Sequence, residues 1–430
     1  MLEKFFRLKE NKSDVKTEVI AGITTFMTMA YILAVNPGIL GNTGMDVNAV
    51  FTATALSSIV ATLVMALWAR LPFALAPGMG LNAFFAFTVV ITMGYSWQFA
   101  LTAVFLEGII FLVLTAFNVR EIIVNAIPMN LKHAISAGIG LFIAFIGLQN
   151  AGIIANSDAT LITLGDMSAH TVWVAVFGLI LSGVLLALKV KGALLIGIFL
   201  SAAVGIPLGV THLPEGHLVS LPPSIAPIAF QFDFSQVFTL DMTVVLLTFL
   251  FVDMFDTVGT LVGVASKADM IDKDGKLPRV KQALFADAVG TTVGAMVGTS
   301  TVTTYVESAS GVAEGGRTGL TSLTVAVMFT LALFLSPLFL MVPGAATAPA
   351  LILVGSFMMS PILKVNFEDY TESIPVFLTV IIMPLAYSIA EGIVFGMVSF
   401  VALKLLTGRY KEVSIVMYIL AVLFIGKFFF

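Results

Sequence analysis

Apolar residues run along this chain in long blocks, and polar or charged residues gather in short clusters between them. A helix needs about 20 consecutive apolar residues to cross the hydrocarbon core of a bilayer. Blocks of that kind fall near 17–36, 50–69, 74–94, 98–118, 131–149, 171–188 and 192–210. A proline-rich stretch, THLPEGHLVSLPPSIAPIAFQFDFSQ, then breaks the rhythm. A second series follows near 242–265, 282–298, 300–314, 318–338, 345–363, 373–388 and 390–407, with a short apolar tail at 413–430. The pattern predicts an all-α polytopic membrane protein of fourteen transmembrane spans plus a tail.

Two of the blocks are poor continuous helices. In the third, APGMGLNAFFAF, Pro77, Gly78 and Gly80 favour extended, irregular backbone, with Asn82 near the first helical turn. The tenth, TSTVTTYVESASGV, opens with a β-branched run before Glu307, Ser308, Ser310 and Gly311. Irregular backbone at membrane depth survives only where it is buried in protein or lines a cavity. Spans three and ten are therefore expected to be broken, with short extended stretches and half-helix N-termini directed into one cavity. The plainer alternative is a pair of glycine-rich packing segments between membrane helices.

The two halves echo each other. KGALLIGIFLSAAVGIPLG in the seventh span reads like AEGIVFGMVSFVALKLLTG in the fourteenth, and ATALSSIVATLVMAL in the second like FADAVGTTVGAMVGT in the ninth. Seven spans per repeat is an odd number, so the second copy is inverted in the membrane. Inverted repeats with interrupted helices at matching places point to a secondary transporter. Chance likeness among small-residue apolar segments is the alternative.

Composition agrees with the pattern and excludes several classes. Hydrophobic residues make up 59% of the chain and charged ones 11%, with a mean hydropathy of +1.06, against roughly a quarter charged in soluble domains. The net charge of -4 matters less than where the charges lie. With the N-terminus in the cytoplasm, 20 of the 21 basic residues fall in inside segments and the proposed outside loops hold none. The remaining one, Lys427, lies in the tail. This alternation supports fourteen spans; the expected location is the plasma membrane, as a multi-pass protein. Residues 1–16 are charged and lack the apolar core and cleavage site of a signal peptide. The absence of cysteine excludes disulfides, thiolate metal sites and cysteine nucleophiles. The four histidines lie near span ends or in loops, so no metal site is expected.

Acids inside apolar sequence are costly and mark function by default. Asp253 and Asp256 sit in TVVLLTFLFVDMFDTVGTLVGVA, about one helical turn apart on one face, and Glu307 lies in span ten. Glu107 and Asp287 also fall mid-span, as packing residues or as partners behind the main acids; Glu391 falls in an outside turn, where water suffices. No Lys, Arg or His lies mid-span, which disfavours an anionic solute. A neutral, planar solute rich in N–H donors fits acceptors such as Asp253, Glu307 and Asn82 and backbone groups near Gly80 and Ser308. Phe84, Phe85, Phe87 and Tyr305 could supply an aromatic face, although each taken singly also suits packing. Two intramembrane acids would serve an aspartyl protease as well, and a channel is a third class.

APGMGLNAFFAF, FVDMFDTVGTLVGV and GTSTVTTYVESASGVAEGGRTGLTS together resemble the signature segments of the AzgA-like purine permeases, a branch of the nucleobase–cation symporter-2 (nucleobase–ascorbate transporter) family. The likeness runs from about residue 16 to 407; the 413–430 tail lies outside it. It implies a core domain of 17–118 and 242–338, a gate domain of 130–210 and 345–407, a homodimer, and an elevator motion of core against gate. It further implies import of adenine, hypoxanthine or guanine with protons, no cofactor beyond the proton gradient, no enzymatic activity and no nucleic-acid partner. Asp253 and Glu307 would be the main substrate-binding acids, with Asn82, Gly80, Ser308 and Phe84 beside them and Asp256 and Gly259 in support. At least one of Asp253, Asp256 and Glu307 would also take up the symported proton. Uracil, xanthine or an inorganic anion as cargo is the alternative in the same fold.

Overall fold

The computed structural model describes residues 2–117, 128–157, 160–213, 217–267, 270 and 277–426. The chain opens with α1 (Leu2–Phe6) and a first span in two pieces, α2 (Val15–Met29) and α3 (Ile32–Gly41). α4 (Val47–Val64) runs on into a π-helical turn, Met65–Ala69. The third block splits as its glycines and proline predict, into an extended stretch, β1 (Leu75–Pro77), and a helix, α5 (Met79–Ala83), which continues in π form over Phe84–Thr92. Next come α6 (Trp97–Ala116), α7 (Met129–Asn150), a hairpin of β2 (Ile154–Ser157) and β3 (Leu161–Leu164), α8 (His170–Ala187) and α9 (Ala193–Gly205). The second half starts with α10 (Leu240–Lys267) and α11 (Val280–Val297). The tenth block again splits, into β4 (Val302–Thr304) and α12 (Ser308–Ala313). α13 (Gly319–Ala332), α14 (Ser336–Leu340), α15 (Gly344–Met358), α16 (Tyr370–Leu385), α17 (Ile389–Leu406) and α18 (Ile415–Gly426) complete the order.

The helices begin where the sequence supplies caps. Asp14 accepts from the Thr17 N–H at 3.0 Å and Asp46 from the Ala49 N–H at 2.8 Å, each satisfying a donor that the first turn leaves open. Among the described residues eight helices are long and apolar enough to cross a bilayer, and Met79–Thr92, Ala193–Gly205 and Tyr370–Leu385 are shorter apolar helices. The third and tenth blocks are short as helices because a strand takes their first residues. The first block, expected as one helix, is jointed at Ala30 and Tyr31.

Two compact units emerge: Met1–Thr115 with Gly147–Ala350, and Ala116–Ile146 with Leu351–Phe430. In the first, the buried carboxylate of Glu18 on α2 accepts from the backbone of Arg317, Thr318 and Thr321 at 3.0, 3.3 and 3.2 Å, capping α13 from a distant part of the chain. A buried cluster including Met65, Phe73, Leu75, Leu261, Ala283 and Val302 surrounds the strands. In the second unit, Gly392 and Gly396 let α17 press on Met383 and Thr379 of α16, where a Cβ would collide. The unit ends in an ionic cluster around Lys404, whose side chain is fully buried.

β1 and β4 pair antiparallel, with Leu75 opposite Thr304, Ala76 opposite Thr303 and Pro77 opposite Val302. One bonding pattern occurs twice. Thr62 Oγ1 on α4 lies 3.1 Å from both the N and the carbonyl O of Leu75. Thr291 Oγ1 on α11 lies 3.2 and 3.1 Å from those of Val302. The Gly78 N–H donates to the Thr301 carbonyl and the Tyr305 N–H to the Ala74 carbonyl, both at 2.9 Å. A local two-fold rotation about the strand pair carries each of these bonds onto its counterpart. Every backbone polar group so held is one that a strand at membrane depth could not otherwise satisfy.

Candidate substrate site at the strand crossing

The crossing sets the starts of α5 and α12 beside the middle of α10, where the aspartates lie. α10 packs against β4, α5, α11 and α12, so all of the predicted acids fall within the first unit. Asp253 is completely buried, and its Oδ1 lies 2.9 Å from the hydroxyl oxygen of Thr257, one turn on. Asp256 is only half-buried. The Thr303 hydroxyl of β4 donates to it, and it stands within electrostatic reach of Glu307 and Asp287. Glu307, also half-buried, precedes the first turn of α12 and accepts from the Tyr31 hydroxyl at 2.7 Å through Oε1. The more open pair of acids is thus Asp256 with Glu307, while Asp253 is closed off from solvent.

The other predicted residues brace this arrangement. Asn82 is buried, its Oδ1 accepts from the Ser300 hydroxyl, and its Nδ2 reaches the Pro77 carbonyl at 3.5 Å. Ser308 Oγ accepts from the Ala74 N–H at 3.0 Å and so holds the chain entering β1. Gly80 is buried in α5. Phe84 is buried and meets Phe249 of α10 edge-on, with ring centroids 4.9 Å apart. Tyr305 is buried and donates to the Pro77 carbonyl at 2.5 Å, which orients its ring along the crossing. Gly259 continues the α10 helix beyond Asp256, and its surroundings lie outside the described residues. Glu107 and Asp287 are fully buried. Glu107 accepts from the Thr301 hydroxyl at 2.5 Å, and Asp287 Oδ1 lies 2.8 Å from the Thr257 hydroxyl oxygen.

Sequence reasoning missed the hydroxyls. Tyr31, Thr257, Thr301 and Thr303 each meet an acid here. Two of them carried a signal. Thr257 follows Asp253 by four residues and so shares its helix face. Tyr31 is a phenol in otherwise apolar sequence, and a buried Tyr O–H nearly always finds a partner. Thr301 and Thr303 read only as part of a β-branched run. Among the described residues no group of three or more His, Cys, Asp or Glu is placed to hold a metal ion. A surface concavity of about 340 Å³, lined by Asn48, His212, Ser220 and Ser336 among others, holds none of these acids.

Residues 16–395 match the family described as the Permease family (Xan_ur_permease). The chain belongs to this permease family. It is 46% identical to the adenine permease AdeP of Escherichia coli, over 100% of this chain and 96% of that one. It is also 46% identical to the guanine/hypoxanthine permease PbuG of Bacillus subtilis, over the full length of both. These relatives are transporters, and the permease is no enzyme. Among solved structures it resembles the transmembrane domain of the cyanobacterial bicarbonate transporter BicA, with a TM-score of 0.66 and 15% identity over 87% of this chain and 97% of that one. At that identity the likeness speaks for the fold of a helical membrane transporter, while cargo is a property of the site.

Proposed function

We propose that this permease imports purine nucleobases (adenine, hypoxanthine or guanine) by proton symport across the plasma membrane, with its N-terminus in the cytoplasm. The observation that carries the reading is the meeting of Asp256 and Glu307 at the strand crossing, two half-buried acids with hydroxyl partners. A purine edge offers ring N–H and exocyclic amine donors, which form charge-assisted hydrogen bonds with such acids, each stronger than a neutral one. In this reading Asp256 and Glu307 hold the base. Gly80 on α5 and Phe84 in the π-helical stretch after it line the approach, Asn82 and Ser308 keep the crossing in shape, and Asp253 acts from a fully buried position. The adenine and guanine/hypoxanthine permeases among the relatives support the purine class.

The wider arrangement is part of the proposal: fourteen spans in two inverted repeats, and a homodimer in which a core (17–118 and 242–338) carries the base past a gate (130–210 and 345–407) in an elevator motion. The local two-fold of the crossing and the alternation of basic residues support it. A second reading, an inorganic anion as cargo, is favoured by the bicarbonate transporter's fold. It is opposed by the acids, which repel an anion through a medium of low dielectric constant.

The test is counterflow in proteoliposomes with radiolabelled adenine, hypoxanthine and guanine, competed with uracil, xanthine and bicarbonate. Saturable purine exchange that other purines compete for is expected. No purine exchange, or bicarbonate displacing the label as well as a purine does, overturns the reading.

A further inference from the structure

Asp253 of α10 and Asp287 of α11 are both completely buried, and the equally buried Thr257 stands between them. Its hydroxyl oxygen is 2.9 Å from Asp253 Oδ1 and 2.8 Å from Asp287 Oδ1. A hydroxyl carries a single proton and can donate only once at a time. If Thr257 donates to one carboxylate, the other contact needs a carboxyl O–H donating to Thr257 Oγ1. With both acids ionised, that contact would set lone pair against lone pair between buried negative charges, which repel strongly where the dielectric constant is low. The geometry therefore calls for one proton on the pair beyond that of the threonine itself.

We propose that Asp253, Thr257 and Asp287 form one proton-holding unit, and that the proton moved with the base resides there while Asp256 and Glu307 hold the base. The inference rests on the proton-coupled reading above. Transfer inside the unit balances: one carboxyl O–H gives its proton to Thr257 Oγ1 as Oγ1 releases its own to the other carboxylate. Two O–H bonds break, two form, and the negative charge moves from one aspartate to the other with the threonine unchanged. The unit communicates with the base site through Asp256, which is in electrostatic reach of both Asp287 and Glu307.

α4, α5, β1 and β4, packed against α10 or α11, carry no titratable group. α12 follows Glu307 and Tyr305, and α6 brings Glu107, beside the Gly108 that rests on Thr292 of α11. Arg279 caps α11 and Lys281 lies in its first turn, ~12 and ~9 Å along the axis from Asp287. Thr257 acts here as a positioning residue, since it touches the acids and not the base.

The full chain is reconstituted in proteoliposomes, and uptake of radiolabelled purine is read in two ways: accumulation driven by an imposed pH gradient, and counterflow at equal pH. Thr257→Val keeps the shape and removes the hydroxyl, Thr257→Ser restores a hydroxyl, and Asp287→Asn fixes one member as neutral. Thr257→Val and Asp287→Asn are expected to keep counterflow within about threefold and to lose gradient-driven accumulation by at least about tenfold. The pH profile of Thr257→Val should move by about one unit, the equivalent of a tenfold change in a proton equilibrium, and Thr257→Ser should match the parent. Unchanged accumulation and pH profile in Thr257→Val overturn the inference, as does equal impairment of the Ser and Val variants in both readouts. If Thr257→Val does not fold, Asp287→Asn decides: accumulation at the parent level overturns the inference. If the parent itself exchanges purine but ignores the gradient, the proton-coupled reading fails and the inference with it.

Discussion

The first unit buries Asp253, Asp287 and Glu107 and half-buries Asp256 and Glu307, and each of these acids is met by a hydroxyl. In the second unit Glu372, Glu412 and Asp369 are met by cations. Lys404 Nζ lies 2.7 Å from both Glu372 and Glu412, and Arg409 lies 2.6 Å from Asp369 and 2.9 Å from Glu412. A cation of matched geometry neutralises an acid for good and holds helices together, and its removal leaves an uncompensated charge. A hydroxyl orients an acid without cancelling its charge, so a proton or a donor-rich ligand still gains by arriving. The hydroxyl-bound centre can therefore change its occupant, whereas the cation-bound cluster locks α16, α17 and the turn after them.

Four measurements would break or sharpen this contrast. The largest effect is expected for Glu307→Gln and Asp256→Asn. Each loses a charge-assisted hydrogen bond worth roughly 1.5–3 kcal/mol, so purine uptake should fall at least about tenfold while membrane insertion is normal. Ordinary pH-dependent uptake by both variants would remove these acids from the site. Lys404→Met should do the reverse: it lowers stability by roughly 2 kcal/mol, less than for a wholly buried pair because Glu412 is partly exposed. The readout is a lower unfolding temperature of the purified protein at unchanged KM, and a raised KM would give the cluster a transport role.

A smaller effect is expected of Tyr31→Phe, which takes one neutral donor from Glu307 Oε1. KM should rise about threefold, for a loss of about 0.7 kcal/mol, with kcat nearly constant. A fall in kcat alone would mean that Tyr31 acts on the moving step instead of on binding. The smallest effect concerns acid stability. The Thr371 hydroxyl first, and then Arg409, hold the Asp369 carboxyl down to about 2. A carboxyl lowered by folding adds stability that is full above its unfolded value of about 3.9 and fades as pH falls toward the folded one. Arg409→Gln should therefore lower the unfolding temperature slightly at pH 7 and less at pH 3. An equal loss at both values would show that the Asp369 pairing contributes nothing.

Much of this was legible in the residues because membrane burial leaves few options. Helices fall on each predicted apolar block outside the two broken ones, and Pro77, Gly78 and the Thr301–Thr304 run announced the two places where helices give way to strands. The joint at Ala30 and Tyr31 was not announced, since MTMAYILAV reads as continuous apolar helix. The β2–β3 hairpin was also missed. Its Leu161 and Leu164 are strongly exposed, so no burial pattern marked it.

By itself, then, the chain determined that it lives in a membrane, where its helices lie, which two are broken and which acids sit at apolar depth. These follow from local composition, because a bilayer penalises each exposed polar group on the spot. Only the tertiary structure decided which groups each acid meets. Asp253 and Asp256 are three residues apart on one helix, on nearly the same face, and nothing local distinguishes them. The approach of β4 brings Thr303 to Asp256, and the approach of α11 brings Asp287 to Thr257 and Asp253. Neighbours from distant parts of the chain made one aspartate a face of the candidate site and the other half of a buried pair.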